Sequence, residues 1–129
     1  MKIALCQIKP VLGNFEKNMQ KIRSFIEKAS ENNSDICVFP ELAISGNNLL
    51  EKTEELALEL TDEIIKELQK INLKGLILGM PIKKDEKVFN GALFIEKDNI
   101  RAFQGKVNLC KNVFYNEKDF YLSALSPLQ

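Results

Sequence analysis

The sequence has no histidine, only three cysteines and no excess of either charge, since 18 lysines and arginines balance 18 aspartates and glutamates. Without histidine, neither a Ser-His-Asp triad nor a His-ligated zinc site can be assembled. Cys6, Cys37 and Cys110 form no CxxC pair, which removes the other common zinc pattern. A net charge of zero removes the long-range field that gathers phosphate backbones or anionic lipid, so no nucleic acid and no membrane is expected as a partner. No apolar run approaches the roughly 20 residues needed to span a bilayer. The opening MKIALCQIK is too short and too soon polar for a signal peptide, which reads as a cytoplasmic chain. GxxxxGK[ST] and GxGxxG loops are also missing, as are repeats, linkers and low-complexity segments, so nothing predicts a nucleotide site or a second domain.

What is present suits one globular domain: 129 residues, 45% hydrophobic and 28% charged. Residues 2–8, KIALCQI, are apolar without a helical period and are ended by Pro10 and Gly13, the pattern of a strand buried on both faces. Asn14 is placed to cap a helix in which Phe15, Met19, Ile22, Phe25, Ile26 and Ala29 recur at three- and four-residue spacing. Residues 36–39 predict a second buried strand stopped by Pro40. Residues 53–71 predict a second helix, with Leu56, Leu60, Ile64, Leu68 and Ile71 on one side and a solvated face of Glu and Lys on the other. Residues 75–82, 88–96 and 100–106 predict a strand followed by a hairpin. This order argues for an α/β layered fold whose first strands are parallel and whose later ones are antiparallel. Cys6 and Cys37, inside apolar runs, read as buried structural thiols.

Glu41 is the conspicuous residue, because it stands directly after the apolar run 36–39 and Pro40. Side chains at the carboxyl ends of strands in open α/β sheets face the crevice where ligands bind, so a carboxylate there is placed for chemistry. The plain alternative is a loop glutamate that hydrogen-bonds nearby backbone or caps a turn.

Wider patterns add to this. MKIALCQIKPVLGNFEKN, DICVFPELAISG, GLILGMPI, VFNGALFIE and GKVNLCKNVFYNEKDFY together resemble, in order and spacing, the carbon-nitrogen hydrolase (nitrilase) family over residues 1–121, with 122–129 a divergent tail. Within it the start, with Ala4, Gln7, Pro10, Gly13 and Asn18, is most similar to the glutaminase domain that opens glutamine-dependent NAD synthetases. The resemblance implies an αββα sandwich, of which these residues match the first half as a mixed sheet with helices on one face. It implies cysteine-dependent hydrolysis of an amide, with glutamine the expected substrate. No cofactor is implied for that step, and ATP and Mg belong only to a synthetase domain not found in these residues.

The family's Glu-Lys-Cys triad maps in part onto this chain. Its FPE motif is matched by Phe39, Pro40 and Glu41, and its lysine segment by Lys106, Leu109, Tyr115, Glu117 and Phe120. The resemblance makes Glu41 the general base, in a dehydrated pocket that raises its proton affinity. Lys106 stabilises the oxyanion, and Glu117 supports by hydrogen bonds. The nucleophilic cysteine is not matched; Cys110, four residues after Lys106, does not sit at a strand-to-helix elbow. Cys110 replaces a family proline, Asn116 an aspartate and Asp119 an arginine, while Asn47 and Asn48 stand where synthetase-type domains carry Tyr-Pro. Half a sandwich implies an uncovered apolar sheet face, hence homo-oligomers or association with the missing C-terminal half. Two alternatives stay open: a non-catalytic relative acting as an interaction module or as one half of a split enzyme, and a different amidase of the same family.

Overall fold

The computed structural model describes residues 1–112 and 115–125. Along the chain come β1 (Ile3–Leu5), α1 (Phe15–Glu31), β2 (Ile36–Val38), α2 (Glu63–Leu68), β3 (Gly75–Lys84), β4 (Lys87–Glu96) and β5 (Asn99–Gly105), with single 3-10 turns at Leu50–Lys52 and Glu117–Asp119. The strands form one mixed sheet in the order β1-β2-β3-β4-β5. The first three are parallel and the last three antiparallel, as the sequence pattern predicts.

Alternation along the strands sorts the sheet into two unlike faces. Cys37, Leu76, Leu78, Met80, Ile82, Leu93 and Ile95 turn to one side and join Met19, Ile22 and Ala29 of α1 and Ile65 and Leu68 of α2 in the core. Asn14 caps α1 as expected, its side chain accepting from the Lys17 N–H at 3.0 Å. Cys6 and Cys37 are both buried free thiols. Burial, reinforced by Cys6, pushes the Cys37 thiol up to about 12, so neither a nucleophile nor a ready metal ligand is present there.

The opposite face is open on the β1 side of the sheet. β1 is an edge strand whose Ile3 is 47% and Leu5 82% exposed, so the expectation of a strand buried on both faces is corrected. The register carries that face across the sheet, Leu5 beside Val38, Val38 beside Ile77, and Ile77 beside Phe94. Farther along, at Gly79 and Asn90, the same face is covered by the backbone of Pro40, Glu41 and Leu42 and by the buried Glu117.

The predicted second helix is also corrected. Only Glu63–Leu68 are α-helical, and Leu58 instead bridges Ile82, donating its N–H to the Pro81 carbonyl at 3.0 Å and accepting from the Lys83 N–H at 2.9 Å. The stretch LALEL (56–60) alternates with period two, and a free edge of β3 offered it extended pairing that outweighs the helical stripe. The β3–β4 hairpin turns at Asp85 and Glu86 with φ 50° and 59°, the left-handed pair that a two-residue turn requires.

Asn18, fully buried in α1, ties three segments together. Its side chain accepts from the Val11 N–H at 2.6 Å and donates to the carbonyls of Val11 at 2.7 Å and Ile44 at 2.9 Å. Asn18→Ala would leave the buried Ile44 carbonyl without this partner and unfasten Val11 from α1, at a cost of about 2 kcal/mol. Urea denaturation should therefore show an earlier midpoint at unchanged slope, and an unmoved midpoint would contradict this bridging role.

Candidate active site

β2 ends at Val38 and the chain turns across the sheet face opposite the helices at Pro40 and Glu41. Gly79 of β3 makes this crossing possible. A Cβ there would stand 2.6 Å from the Leu42 nitrogen and 2.8 Å from the Glu41 Cα and the Pro40 oxygen, all backbone atoms that cannot swing aside. Leu42 follows in the left-handed region at φ 50° with its side chain fully buried, which anchors the turn just after the carboxylate.

Lys106 lies one residue past β5 and reaches back to this turn. Its Nζ is 2.8 Å from Glu41 Oε1 and 3.0 Å from Glu117 Oε2. Asn90 of β4 binds the same two carboxylates, its Nδ2 donating to Glu41 Oε1 at 2.5 Å and to Glu117 Oε1 at 3.1 Å. The Lys106 N–H donates to the Asn90 carbonyl at 2.8 Å, so backbone and side-chain bonds set the same spacing. Glu117, in its 3-10 turn, is 2% exposed and takes a further bond from the Cys110 N–H at 2.6 Å.

The three sequence-predicted residues, Glu41, Lys106 and Glu117, thus converge from three separate segments. Asn90 is the member that sequence reasoning missed. An asparagine inside the apolar run VFNGALFIE was the available signal, because Asn is depleted from strand interiors. Cys110 contributes its backbone to Glu117, while its side chain is exposed and outside the cleft lining.

Burial is distributed otherwise than expected. Glu41 keeps half of its side-chain surface exposed, so the dehydrated base predicted from sequence is corrected. The buried carboxylate is Glu117, where desolvation works to raise the pKa and is outweighed by the Cys110 N–H, the Lys106 ammonium and the Asn90 amide, which hold it below its ordinary value. Desolvation likewise works against the Lys106 charge, and hydrogen bonds to Glu41 and Glu117 outweigh it, so the lysine stays protonated beyond its ordinary range.

The family arginine replaced by Asp119 is not needed to orient Glu117, since Lys106, Asn90 and the Cys110 N–H do so. The two departures answer one another, Asn116 Nδ2 donating to Asp119 Oδ1 at 2.8 Å. Past Tyr121 the chain is still used: Leu122 donates to the Val88 carbonyl at 2.7 Å and Ala124 to the Lys106 carbonyl at 3.0 Å. Residues 126–129 of the tail lie outside the described residues.

Glu41, Asn90 and Lys106 edge a cleft of about 340 Å³ whose walls include Phe39, Ile77 and Ala92. Apolar walls with a few convergent polar groups are the usual make-up of a small-molecule site. At such a cleft a carboxylate can take up a proton while the ammonium held between the two carboxylates offers positive charge to a developing oxyanion.

The family model for carbon-nitrogen hydrolases matches residues 2–127. The chain belongs to the carbon-nitrogen hydrolase family. The glutamine-dependent NAD(+) synthetase of Thermotoga maritima is 30% identical over 94% of this chain and 22% of its own length. A nitrilase of Pyrococcus abyssi is 26% identical over 94% of this chain and 47% of its own length. This carbon-nitrogen hydrolase chain therefore spans about a fifth to a half of the curated relatives it matches.

Solved structures carry the fold. The glutamine-dependent NAD+ synthetase from Acinetobacter baumannii superposes with a TM-score of 0.83 at 20% identity, over 96% of this chain and 24% of that one. An amidase from Nesterenkonia sp. gives 0.80 at 21% identity, over 98% of this chain and 49% of that one. The nitrilase-type α/β fold expected from the sequence is thereby established for this carbon-nitrogen hydrolase chain. No helix among the described residues is long and apolar enough to cross a membrane.

Proposed function

We propose that these residues form the base-and-oxyanion half of a cysteine-dependent amide hydrolase site, and specifically of the glutaminase portion of a glutamine-dependent NAD synthetase. The observation that carries the reading is Lys106 Nζ held at 2.8 Å from Glu41 and 3.0 Å from Glu117 beside an apolar-walled cleft. The identity shared with the Thermotoga maritima synthetase favours glutamine over other amides.

In this reading Glu41 takes the proton of an attacking thiol and the thiolate adds to the carboxamide carbon of glutamine. The Lys106 ammonium faces the oxygen where negative charge develops, an interaction worth about 3 kcal/mol once water is excluded. Glu41 returns its proton to the departing ammonia and then draws one from the water that cleaves the thioester. Glu117 keeps Lys106 charged and in place. The step as written needs no metal or organic cofactor, and ATP and magnesium belong to the synthetase reaction that would consume the ammonia. The attacking thiol is none of Cys6, Cys37 and Cys110: two are core residues, and the third turns its backbone rather than its sulfur to the site. It comes from residues other than these 129. The E41Q mutant of the Nesterenkonia sp. AN1 amidase shows Michael addition of acrylamide at an active-site cysteine, which is the kind of partner residue required.

The test is a chimera in which these residues replace the matched segment of the Thermotoga maritima synthetase. It is expected to release ammonia from glutamine and to lose that activity in Glu41→Gln. A folded chimera that hydrolyses simple aliphatic amides but not glutamine points instead to an amidase. One that hydrolyses neither, with Glu41→Gln indistinguishable from it, leaves the hydrolase reading without support.

The open side of the sheet face at β1 supports a proposal about partners. Exposed Leu5 and Ile3 beside Val38, Ile77 and Phe94 form an apolar surface that favours self-association of this chain or capture of a complementary half. Sedimentation of the isolated chain should show dimers or larger species, and Leu5→Glu should shift them toward monomer. A sharp monomer in the unmodified chain would count against the proposal.

A further inference from the structure

The two oxygens of the Glu41 carboxylate are used unequally. Oε1 accepts from Asn90 Nδ2 at 2.5 Å and from Lys106 Nζ at 2.8 Å, whereas no hydrogen bond to Oε2 is found among the described residues. With half of the side chain exposed, free rotation about its own bonds would exchange the two oxygens. Lys106 alone would not prevent this, because an ammonium is a point-like donor that follows whichever oxygen comes near. Asn90 differs on both counts. It is 4% exposed, sits in a paired strand opposite Pro81, and offers a planar amide of fixed direction.

We propose that Asn90 is a positioning residue which, with Lys106, ties down Glu41 Oε1 and so makes Oε2 the oxygen that takes and returns the proton. The inference rests on the hydrolase reading for its consequence and on hydrogen-bond geometry for its cause. In the reaction, an Oε2 lone pair takes the thiol hydrogen, and the S–H electron pair stays on sulfur to form the C–S bond as the carbonyl π pair moves to oxygen. When that pair returns, the C–N bond breaks, its electrons remain on nitrogen, and nitrogen takes the proton back from Oε2. Glu41 ends as it began. Oε1 could not serve as well, since it would have to shed two donors before accepting a third.

Asn90 suits the task because it is neutral and does not itself compete for the proton. The charged groups it touches are Glu41 and Glu117, both also held by Lys106, and the phenol of Tyr115, raised by burial and by the Glu117 charge, feels the same three charges. Asn90 also touches Glu117 Oε1 at 3.1 Å, so one amide keeps the mobile carboxylate in register with the buried one.

The test uses the isotope-labelled 129-residue chain and needs no catalysis. A scalar coupling across the hydrogen bond between the Asn90 side-chain nitrogen and the Glu41 carboxyl carbon is expected, and it should survive protonation of Glu41, because the proton adds to Oε2. A coupling that is absent throughout, or that vanishes as the carboxyl protonates, overturns the proposal. In Asn90→Leu, with the remaining amide spectrum preserved, Glu41 side-chain couplings should change from one rotamer to an average, and a single retained rotamer would equally overturn it. If Asn90→Leu does not fold, Asn90→Ser is read the same way. Ammonia release by the chimera tests the hydrolase reading separately, so the failure of one is distinguishable from failure of the other.

Discussion

Lys106→Met is expected to lower stability by about 3 kcal/mol at pH 7, the low end of the cost of removing one partner from a buried ion pair. The low end applies because Lys106 keeps 25% of its side chain exposed while Glu117 keeps 2%. Most of the loss arises from Glu117, left charged, buried and without a cation. The pH dependence identifies it. In the native chain the Glu117 carboxyl is held below its ordinary 4.5 despite burial, so the folded state binds its proton less tightly than the unfolded chain does. Its stabilisation is then complete above about pH 4.5 and is lost as pH falls through the lower folded value. Without Lys106 only the Cys110 N–H and the Asn90 amide still oppose burial, so the folded value rises from where the lysine held it. The penalty of the variant is therefore largest at neutral pH and shrinks as acid protonates Glu117. Denaturation of both proteins at pH 7 and pH 4 checks this. A gap of equal size at the two values would mean that the lysine stem, and not the charge, is what matters. Adding Glu117→Gln to Lys106→Met should restore much of the loss, since a neutral amide tolerates burial among donors and acceptors.

Gly79→Ala is expected to cost about 2 kcal/mol by overpacking and to reduce amide hydrolysis by the chimera about 100-fold, the scale of an ångström-sized misplacement of a catalytic group. The added methyl would meet the Leu42 nitrogen, the Glu41 Cα and the Pro40 oxygen between 2.6 and 2.8 Å. Backbone must therefore move, and the backbone that moves carries Glu41. Leu42 resists the shift, with its buried side chain and left-handed φ. The 2.8 Å contact between Glu41 and Lys106 is then the one to break. Calorimetry measures the first effect and ammonia release the second. Full activity at reduced stability would show that the Glu41 turn adapts to the methyl group and that Gly79 serves packing alone.

Much of the fold was legible in residue order because it rests on local periodicity. The apolar positions Met19, Ile22 and Ala29 recur at helical spacing, and Asn14 stands where the first free N–H groups need an acceptor. The runs at 75–82 and 88–96 have turn residues between them, so β3 and β4 followed. Residues 53–62 misled because their stripe is apolar at both periods. Which one forms depends on whether an unpaired strand edge lies alongside, and Leu58 found one at Ile82. The exposure of Leu5 was hidden for a related reason, since an apolar residue reads alike whether or not another layer covers it.

The sequence by itself determined the chemistry available: no histidine, a carboxylate directly after a strand, a lysine after the last strand, and the order of strands and helices that makes a mixed sheet. Residue types and short-range periodicity settle such matters, because they act within a turn or two of the chain. Only the tertiary structure decided which carboxylate is buried, that Asn90 joins the site, and that Gly79 must lack a side chain for Glu41 to reach Lys106. Each depends on atoms brought within 3 Å from positions up to 65 residues apart, and burial and hydrogen bonding at that range are set by packing alone.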